Sequence, residues 1–269
     1  MRARQESDLT PVSANPVSAN PVSGAASGID RRLARLTTLY GALQGTALVR
    51  AMLLKAFPGR VALTSSFGAE AAVLLHMVAT VDPATPVLFL ETGKLFEETL
   101  AYRDTLVARL GLRDVRSLAP APYEVAALDP DGDLHRTAPD QCCFVRKVAP
   151  LDRALSGFEA WITGRKSYQS AGRADLPSLE AEDGRIKINP LLRWRPADID
   201  AYMDRHGLPP HPLLARGYPS IGCAPCTQAV RDGEDPRAGR WRDCAKTECG
   251  IHRPRASMEG GTTTRGNGT

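Results

Sequence analysis

Short apolar runs recur along the middle of the chain with helix-length segments between them, and this rhythm narrows the fold more than any other feature. Val61–Ser65, Pro86–Leu90, Asp114–Leu118 and Ala160–Thr163 have the length and apolar character of buried strands. Between them Gly68–Val81, Phe96–Leu110 and Gln141–Leu155 read as helices, the last despite Pro150. Upstream, Asp30 is placed to cap a helix over Arg31–Leu43, and a second helix follows over Ala47–Phe57. Downstream, Pro196–His206 reads as a helix stopped by Gly207. Such alternation implies βαβ units, and so an α/β fold with a mostly parallel sheet flanked by helices. Ligands bind such sheets at the carboxyl ends of strands, so the turns that leave each run are where chemistry is expected.

The two ends contrast with this body. Residues 11–23, PVSANPVSANPVS, repeat a five-residue unit with Pro11, Pro16 and Pro21 in step. Sequence this rich in Pro and Ser cannot bury a core. Residues 1–29 are therefore expected to be a disordered tail, 30–256 the folded domain, and the Gly- and Thr-rich 257–269 a flexible tail. No apolar run reaches the roughly 18 residues that span a bilayer, and the first 30 residues hold no apolar stretch of a secretory signal. The expectation is a cytoplasmic, thiol-reducing setting with no membrane contact. A net charge of +4 is too small an excess to argue for nucleic acid. Arg supplies 28 of the 34 basic residues, which genome base composition largely explains. Guanidinium forks nevertheless suit phosphate and sulfate oxygens, so an anionic small-molecule substrate fits.

All six cysteines (Cys142, Cys143, Cys223, Cys226, Cys244 and Cys249) lie in the second half of the chain, which is not the spread of a disulfide scaffold. Cys142 and Cys143 are adjacent, and Cys223-Ala224-Pro225-Cys226 is a CxxC pair. Four thiolates can bind a tetrahedral metal or an iron–sulfur cluster. Neighbouring side chains on a helix point about 100° apart, which a cubane with separate iron corners tolerates better than a single zinc ion. Buried cysteines beside a redox CxxC are the plainer alternative. Cys249 lies in Glu248-Cys249-Gly250-Ile251-His252, where a histidine three residues on can favour the thiolate; a surface thiol near a chain end would look the same.

Ser65-Ser66-Phe67-Gly68-Ala69-Glu70 joins the first run to a helix, with hydroxyls and free amides that can hold an anion. An ordinary capped turn carries the same residues, and no Walker pattern follows. Glu91-Thr92-Gly93 leaves the second run in the same manner, and two polar turns at neighbouring strand ends would frame a nucleotide crevice. Cations cluster near the cysteines and strand ends: Arg146 and Lys147, then Arg165 and Lys166 with Arg173, then Arg237 and Arg240.

Together these segments resemble the sulfonucleotide reductases of assimilatory sulfate reduction. The stretches that carry the resemblance are SSFGAE (65–70), FLETGKLFEET (89–99), CCFVRKVAPL (142–151), GRKSYQSAGR (164–173), NPLLRW (189–194), HPLLARGYPSIGCAPCT (211–227), GEDPRAGRW (233–241) and ECGIH (248–252). They span about Val61 to His252, and the combination of Cys-Cys, CxxC and ECGxH resembles the cluster-containing adenylyl-sulfate (APS) reductase branch. Typical PAPS reductases keep the last motif and lack the four cluster cysteines.

The resemblance implies an adenine-nucleotide α-hydrolase-like sandwich with a mobile C-terminal segment. It implies one [4Fe-4S] cluster on Cys142, Cys143, Cys223 and Cys226, and Cys249 as the nucleophile with His252 beside it. Ser65, Ser66 and Gly68 would form the modified pyrophosphatase-type loop. Lys147 would link the cluster region to the substrate, and Arg165, Arg173, Arg237 and Arg240 would bind the phosphosulfate. Thioredoxin would be the reductant; a homo-oligomer is compatible with the sequence. Glu91 stands where the family usually has Asp, His211 where Asn is common, and Cys244 falls outside the pattern. Three other readings stay open: PAPS reduction by the same mechanism, an ATP pyrophosphatase-type thiolation enzyme, and a non-catalytic zinc module. The second would need a Ser-Gly-Gly-x-Asp-Ser loop, which residues 65–70 lack.

Overall fold

The computed structural model describes residues 27–169, 173–244 and 246–252. The expected tails therefore lie outside the described residues, except for positions 27–29. Ser27 is the N-cap of helix α1 (Gly28–Tyr40). Its hydroxyl accepts the Asp30 amide at 3.3 Å, and the Asp30 carboxylate accepts the Ser27 amide at 3.1 Å. This is a capping box. Asp30 is thus the third helical residue and not the cap, and Gly28 and Ile29 belong to the helix and not to the tail.

Helix α2 (Gly45–Ala51) runs into a widened turn over Met52–Ala56. Then come β1 (Val61–Ser65), α3 (Ala71–Val81), β2 (Val87–Leu90), α4 (Glu97–Leu110) and β3 (Val115–Leu118). Short helices α5 (Pro122–Leu128), α6 (Leu134–Thr137) and α7 (Pro139–Cys143) lead through a second widened turn, Phe144–Val148, into α8 (Ala149–Leu155). Strands β4 (Ala160–Ile162), β5 (Leu179–Glu182) and β6 (Arg185–Ile188) precede α9 (Pro196–Arg205). Each of the four expected strands is present within about one residue of its expected bounds.

The sheet order is β3-β2-β1-β4-β6-β5, parallel throughout except for the β5–β6 pair. That hairpin was not among the expected elements. Asp183 and Gly184 form its two-residue turn with φ of 49° and 74°, both left-handed. Asp-Gly is the preferred pair for such a turn.

Strand alternation sends successive residues to opposite faces. Leu63, Phe89, Ile162 and Ile188 join the larger core with α2 and α3, while Ala62, Leu88, Leu90 and Trp161 pack against Leu151 and Leu155 of α8. The chain winds outward from β1 to β3 and then returns to place β4 on the other side of β1. The β1/β4 border is therefore the switch point, and the crevice outside its carboxyl ends is where an open α/β sheet binds ligands.

Candidate active site

A cleft of about 260 Å³ opens at that switch point. Its floor comes from the turns leaving β1 and β4, and its far wall from residues 219–222, 235–241 and 248–252. Every candidate outside the paired cysteines reaches it: Ser65, Ser66, Gly68, Lys147, Arg165, Arg173, Arg237, Arg240, Cys249 and His252.

The β1 turn is tight for a local reason. Phe67 takes φ of 49°, rare for a bulky residue, and is held there by full burial and an edge-on contact with Phe89 at 5.2 Å. The Ser65 hydroxyl accepts the Phe67 amide at 3.1 Å, so it builds the turn, whereas Ser66 is exposed at the cleft. A side chain at Gly68 would press on the Ile221 carbonyl at 3.3 Å. Glycine there lets the far wall approach.

The cations fall into two sets. Those leaving β4 are internally paired. Arg165 is tied to Glu180 and to Asn189, whose amide oxygen also accepts the Thr163 hydroxyl at 2.6 Å. Lys166 meets Glu70 at 2.7 Å. Arg173 is gripped by both carboxylate oxygens of Glu248, at 2.7 and 2.6 Å, and Arg237 stands 3.9 Å from the same carboxylate. Lys147 and Arg240 instead face sulfur. Burial opposes the Lys147 charge, yet Cys223, Cys249 and Cys143 push its pKa up. Burial draws Arg240 down against the pull of Cys249, Cys223, Cys226 and Cys143, and its Nε is buried without a hydrogen-bond partner among the described residues. The uncompensated positive charge of the cleft thus sits beside Cys249.

Cys249 is held well below the ordinary thiol range. The Cys143 thiol donates to it, and Lys147, the Ile251 amide and Arg240 reinforce this against the cost of burial. That bond, followed by burial, raises Cys143. A depressed pKa in a cationic cleft is what makes a cysteine nucleophilic. His252 stacks on Trp161 at 6.5 Å and 12°. Burial first, then Lys187, Arg173, Arg165 and Arg237, keeps it well below the usual imidazole value, which favours the neutral form, and its Nδ1 is buried with no hydrogen-bond partner among the described residues.

The four paired cysteines lie behind this cleft and line one small cavity together with Lys147, Arg240 and Trp241, which also line the cleft itself. Helical spacing explains the split in their neighbours, and a widened turn follows them. Pro150 has no amide to donate, and Ala149 bonds back to Phe144. On this helix residues four apart share a face. Cys142 sides with Arg146, which is buried against Asp129 at 2.6 Å and donates to the Thr92 carbonyl, whereas Cys143 sides with Lys147. The CxxC loop is carried to them by the β2–α4 turn, where the Ala224 amide bonds the Lys94 carbonyl at 2.8 Å. Burial, then Cys223, pushes the Cys142 thiol up to about 11, and burial raises Cys226. Among the described residues no three His, Cys, Asp or Glu side chains form a group that would hold a single metal ion.

The Glu91 turn corrects an expectation. It does not line the nucleotide crevice: Glu91 accepts its own Gly93 amide at 3.0 Å, and the Thr92 hydroxyl lies 3.3 Å from Cys223 Sγ. The turn serves the cysteine cavity. Cys244 is exposed. His211 is buried between Thr99 and the Leu213 amide, and burial lowers it to about 4, a structural imidazole. Ser170, Ala171 and Gly172 of the GRKSYQSAGR stretch lie outside the described residues. The cleft also contains Glu70, Trp241 and Glu248, which no motif marks as site residues, and Lys166, one of the clustered cations. Lys166 and Glu248 lie inside quoted motifs, so the signal was present, but their pairing depends on tertiary contact.

Comparison with known proteins agrees with this geometry. The family model described as phosphoadenosine phosphosulfate reductase domain matches residues 60–229. A protein named adenosine 5'-phosphosulfate reductase from Mesorhizobium japonicum is 50% identical over 85% of this chain and 90% of its own length. One of the same name from Chelativorans sp. is 51% identical over 81% and 90%. A phosphoadenosine 5'-phosphosulfate reductase from Gloeobacter violaceus is 40% identical over 84% and 96%. The crystal structure of phosphoadenylyl-sulfate (PAPS) reductase from Candida auris superposes with a TM-score of 0.61 at 27% identity, covering 77% of this chain and 98% of that one. With a family model over well over half the chain and relatives of this identity and coverage, the chain belongs to the phosphoadenosine phosphosulfate reductase family.

Proposed function

We propose that this enzyme reduces adenosine 5'-phosphosulfate to sulfite and AMP in sulfate assimilation, with Cys249 as nucleophile. The observation that carries the reading is the placement of Cys249 in the switch-point cleft beside Lys147 and Arg240, the cations that lack a carboxylate partner among the described ion pairs. A thiolate there is set to attack the sulfur of a sulfuryl group. The Cys249–sulfur bond forms as the bond from sulfur to the AMP phosphate oxygen breaks, and AMP leaves with the electron pair. Phosphate leaves well only where its new charge is held, and the cleft guanidiniums can do that. The product is a thiosulfonate on Cys249. A thiol of thioredoxin then attacks Cys249 Sγ and expels sulfite. A second thioredoxin thiol resolves the mixed disulfide, so two thiols are oxidised as sulfur(VI) becomes sulfur(IV). Thioredoxin keeps thiols reduced in the cytoplasm, and that setting belongs to this reading. Neutral His252, which lines the cleft and stacks on Trp161, orients substrate and does not supply a positive charge.

Cys142, Cys143, Cys223 and Cys226 fit a [4Fe-4S] cluster. Four soft thiol donors, three buried and Cys226 partly so, line one cavity where bare thiolates would repel, with Lys147, Arg146 and Arg240 at hand. When bound, the cluster would supply a charged, polarisable group beside the cleft and a tie between two distant segments. Ligation of Cys143 would withdraw its proton from Cys249, leaving Lys147, Arg240 and the Ile251 amide to stabilise the thiolate.

The test is Cys249→Ser. It is expected to abolish sulfite release from adenosine 5'-phosphosulfate, with loss of at least about 10³-fold, since a hydroxyl is not ionised in such a site. Retained sulfite release would refute the role of Cys249. Faster turnover of the 3'-phosphorylated nucleotide by the unmodified enzyme would reassign the substrate.

A further inference from the structure

The residue before the nucleophile is an anion held in an anion site. The Glu248 carboxylate takes the Arg173 guanidinium with both oxygens, at 2.7 and 2.6 Å, and lies 3.9 Å from Arg237. Arg237 also donates to the Thr247 carbonyl at 3.2 Å. Arg173 and Glu248 are largely shielded, with side chains 8% and 18% exposed, so this pair is not a solvent-screened surface contact. Within the same segment, Ile251 and His252 are anchored differently. Ile251 packs with Leu151, Leu155 and Trp161, and His252 stacks on Trp161. The Ile251 contact is apolar and indifferent to charge in the cleft. The Glu248 contact is not, because the arginines it occupies face the space where a phosphosulfate would lie. One guanidinium fork satisfies one bidentate anion well, so the carboxylate and a substrate dianion compete for Arg173.

We propose that Glu248 is the positioning residue of Cys249: a carboxylate latch that fixes the thiol in the cleft through Arg173 and Arg237, and whose hold depends on the anionic charge sharing those arginines. The inference rests on Cys249 being the nucleophile. It assigns the glutamate a task that Arg173 and Arg237 alone do not perform. They bind an anion wherever it comes from, and Glu248 makes the peptide that carries Cys249 one of the anions bound.

The experiment is hydrogen exchange and steady-state kinetics on the full-length protein with Glu248→Gln, which keeps the shape and removes the charge. In the substrate-free protein, amide exchange across 246–252 is expected to accelerate about tenfold, the scale of one lost charge-assisted hydrogen-bond pair, while exchange in β1 and α3 is unchanged. Turnover of adenosine 5'-phosphosulfate is expected to fall about tenfold in kcat with no rise in KM, since a competitor for Arg173 has been removed. Glu248→Asp, charged but one methylene shorter, should lie between the two. Unchanged exchange in 246–252 overturns the latch. So does a KM that rises with kcat unaltered, which would make Glu248 a mere support for substrate binding. Exchange is read without activity, so it stands apart from the role of Cys249, which the serine variant decides on its own.

Discussion

At the scale of single residues, the cleft is ordered by which charges are already answered. Arg165, Lys166 and Arg173 each meet a carboxylate of the chain, while Lys147 and Arg240 meet thiols. The motifs made Cys249, His252 and the cations legible as a set in the sequence. Their pairing was not legible, because Glu70, Glu180 and Glu248 come from three different segments that only the folded sheet brings together. His252 carries a prediction of its own. Its folded pKa is depressed, chiefly by burial, below the unfolded value near 6.5. The unfolded chain therefore takes up a proton first as the pH falls. Stability is therefore full well above about 6.5 and declines as the pH falls through it, by about 1.4 kcal/mol at pH 5.5. Urea midpoints at pH 7.5 and 5.5 should differ less in His252→Asn than in the parent by roughly that amount. An equal acid loss in both would mean that His252 stays protonated on folding.

At the scale of elements, the short apolar runs and the helical stretches between them were readable because each satisfies a local period. The β5–β6 hairpin was overlooked although its Asp183-Gly184 turn was a usable signal. Its strands carry Glu180, Glu182, Arg185 and Lys187, and that charge hides the alternation of Leu179, Ile186 and Ile188. Helices α5 and α6 are too short to show any period. The Glu91 turn looked like a second nucleotide turn and is instead a bracket for Cys223, because position along β2 says nothing about which loop will cross its end. The loop from Pro219 to Cys226 shows how an element fixes a charge. A Cβ on Gly222 would collide with the Arg240 guanidinium. Gly222→Ala is therefore expected to displace Arg240 and cut kcat/KM for adenosine 5'-phosphosulfate by about 10–100-fold. Folding should change by no more than about 1–2 kcal/mol. Thermal melts alongside kinetics check this, and full activity would show that Arg240 has room to move.

At the scale of the whole molecule, the α/β class was legible. The turn after β1 comes from the cysteine-free half, and the thiols come from the second half to meet it. What the sequence could not convey is that α7–α8 and the CxxC loop, about 80 residues apart, close on one cavity. A cluster bound there is a cross-link. Closing a loop of that length restricts the unfolded chain by about 4 kcal/mol. Anaerobic removal of iron by a chelator is then expected to lower Tm by about 8–16 °C in a domain of this size. Calorimetry of loaded and stripped protein measures it, and identical melting would argue against a structural tie.

Lys147, Arg240 and Trp241 are shared by the cleft and the cysteine cavity, so the two are separated by a wall one side chain thick. Trp241 is held there at φ of 51°, with the Arg240 guanidinium 4.4 Å above its ring. Fields fall off little over so short and dry a path. An iron–sulfur chromophore on the far side would therefore act as a built-in gauge of the cleft: nucleotide arriving on one face would alter absorption and magnetic spectra on the other, and occupancy could be titrated without turnover and without a label.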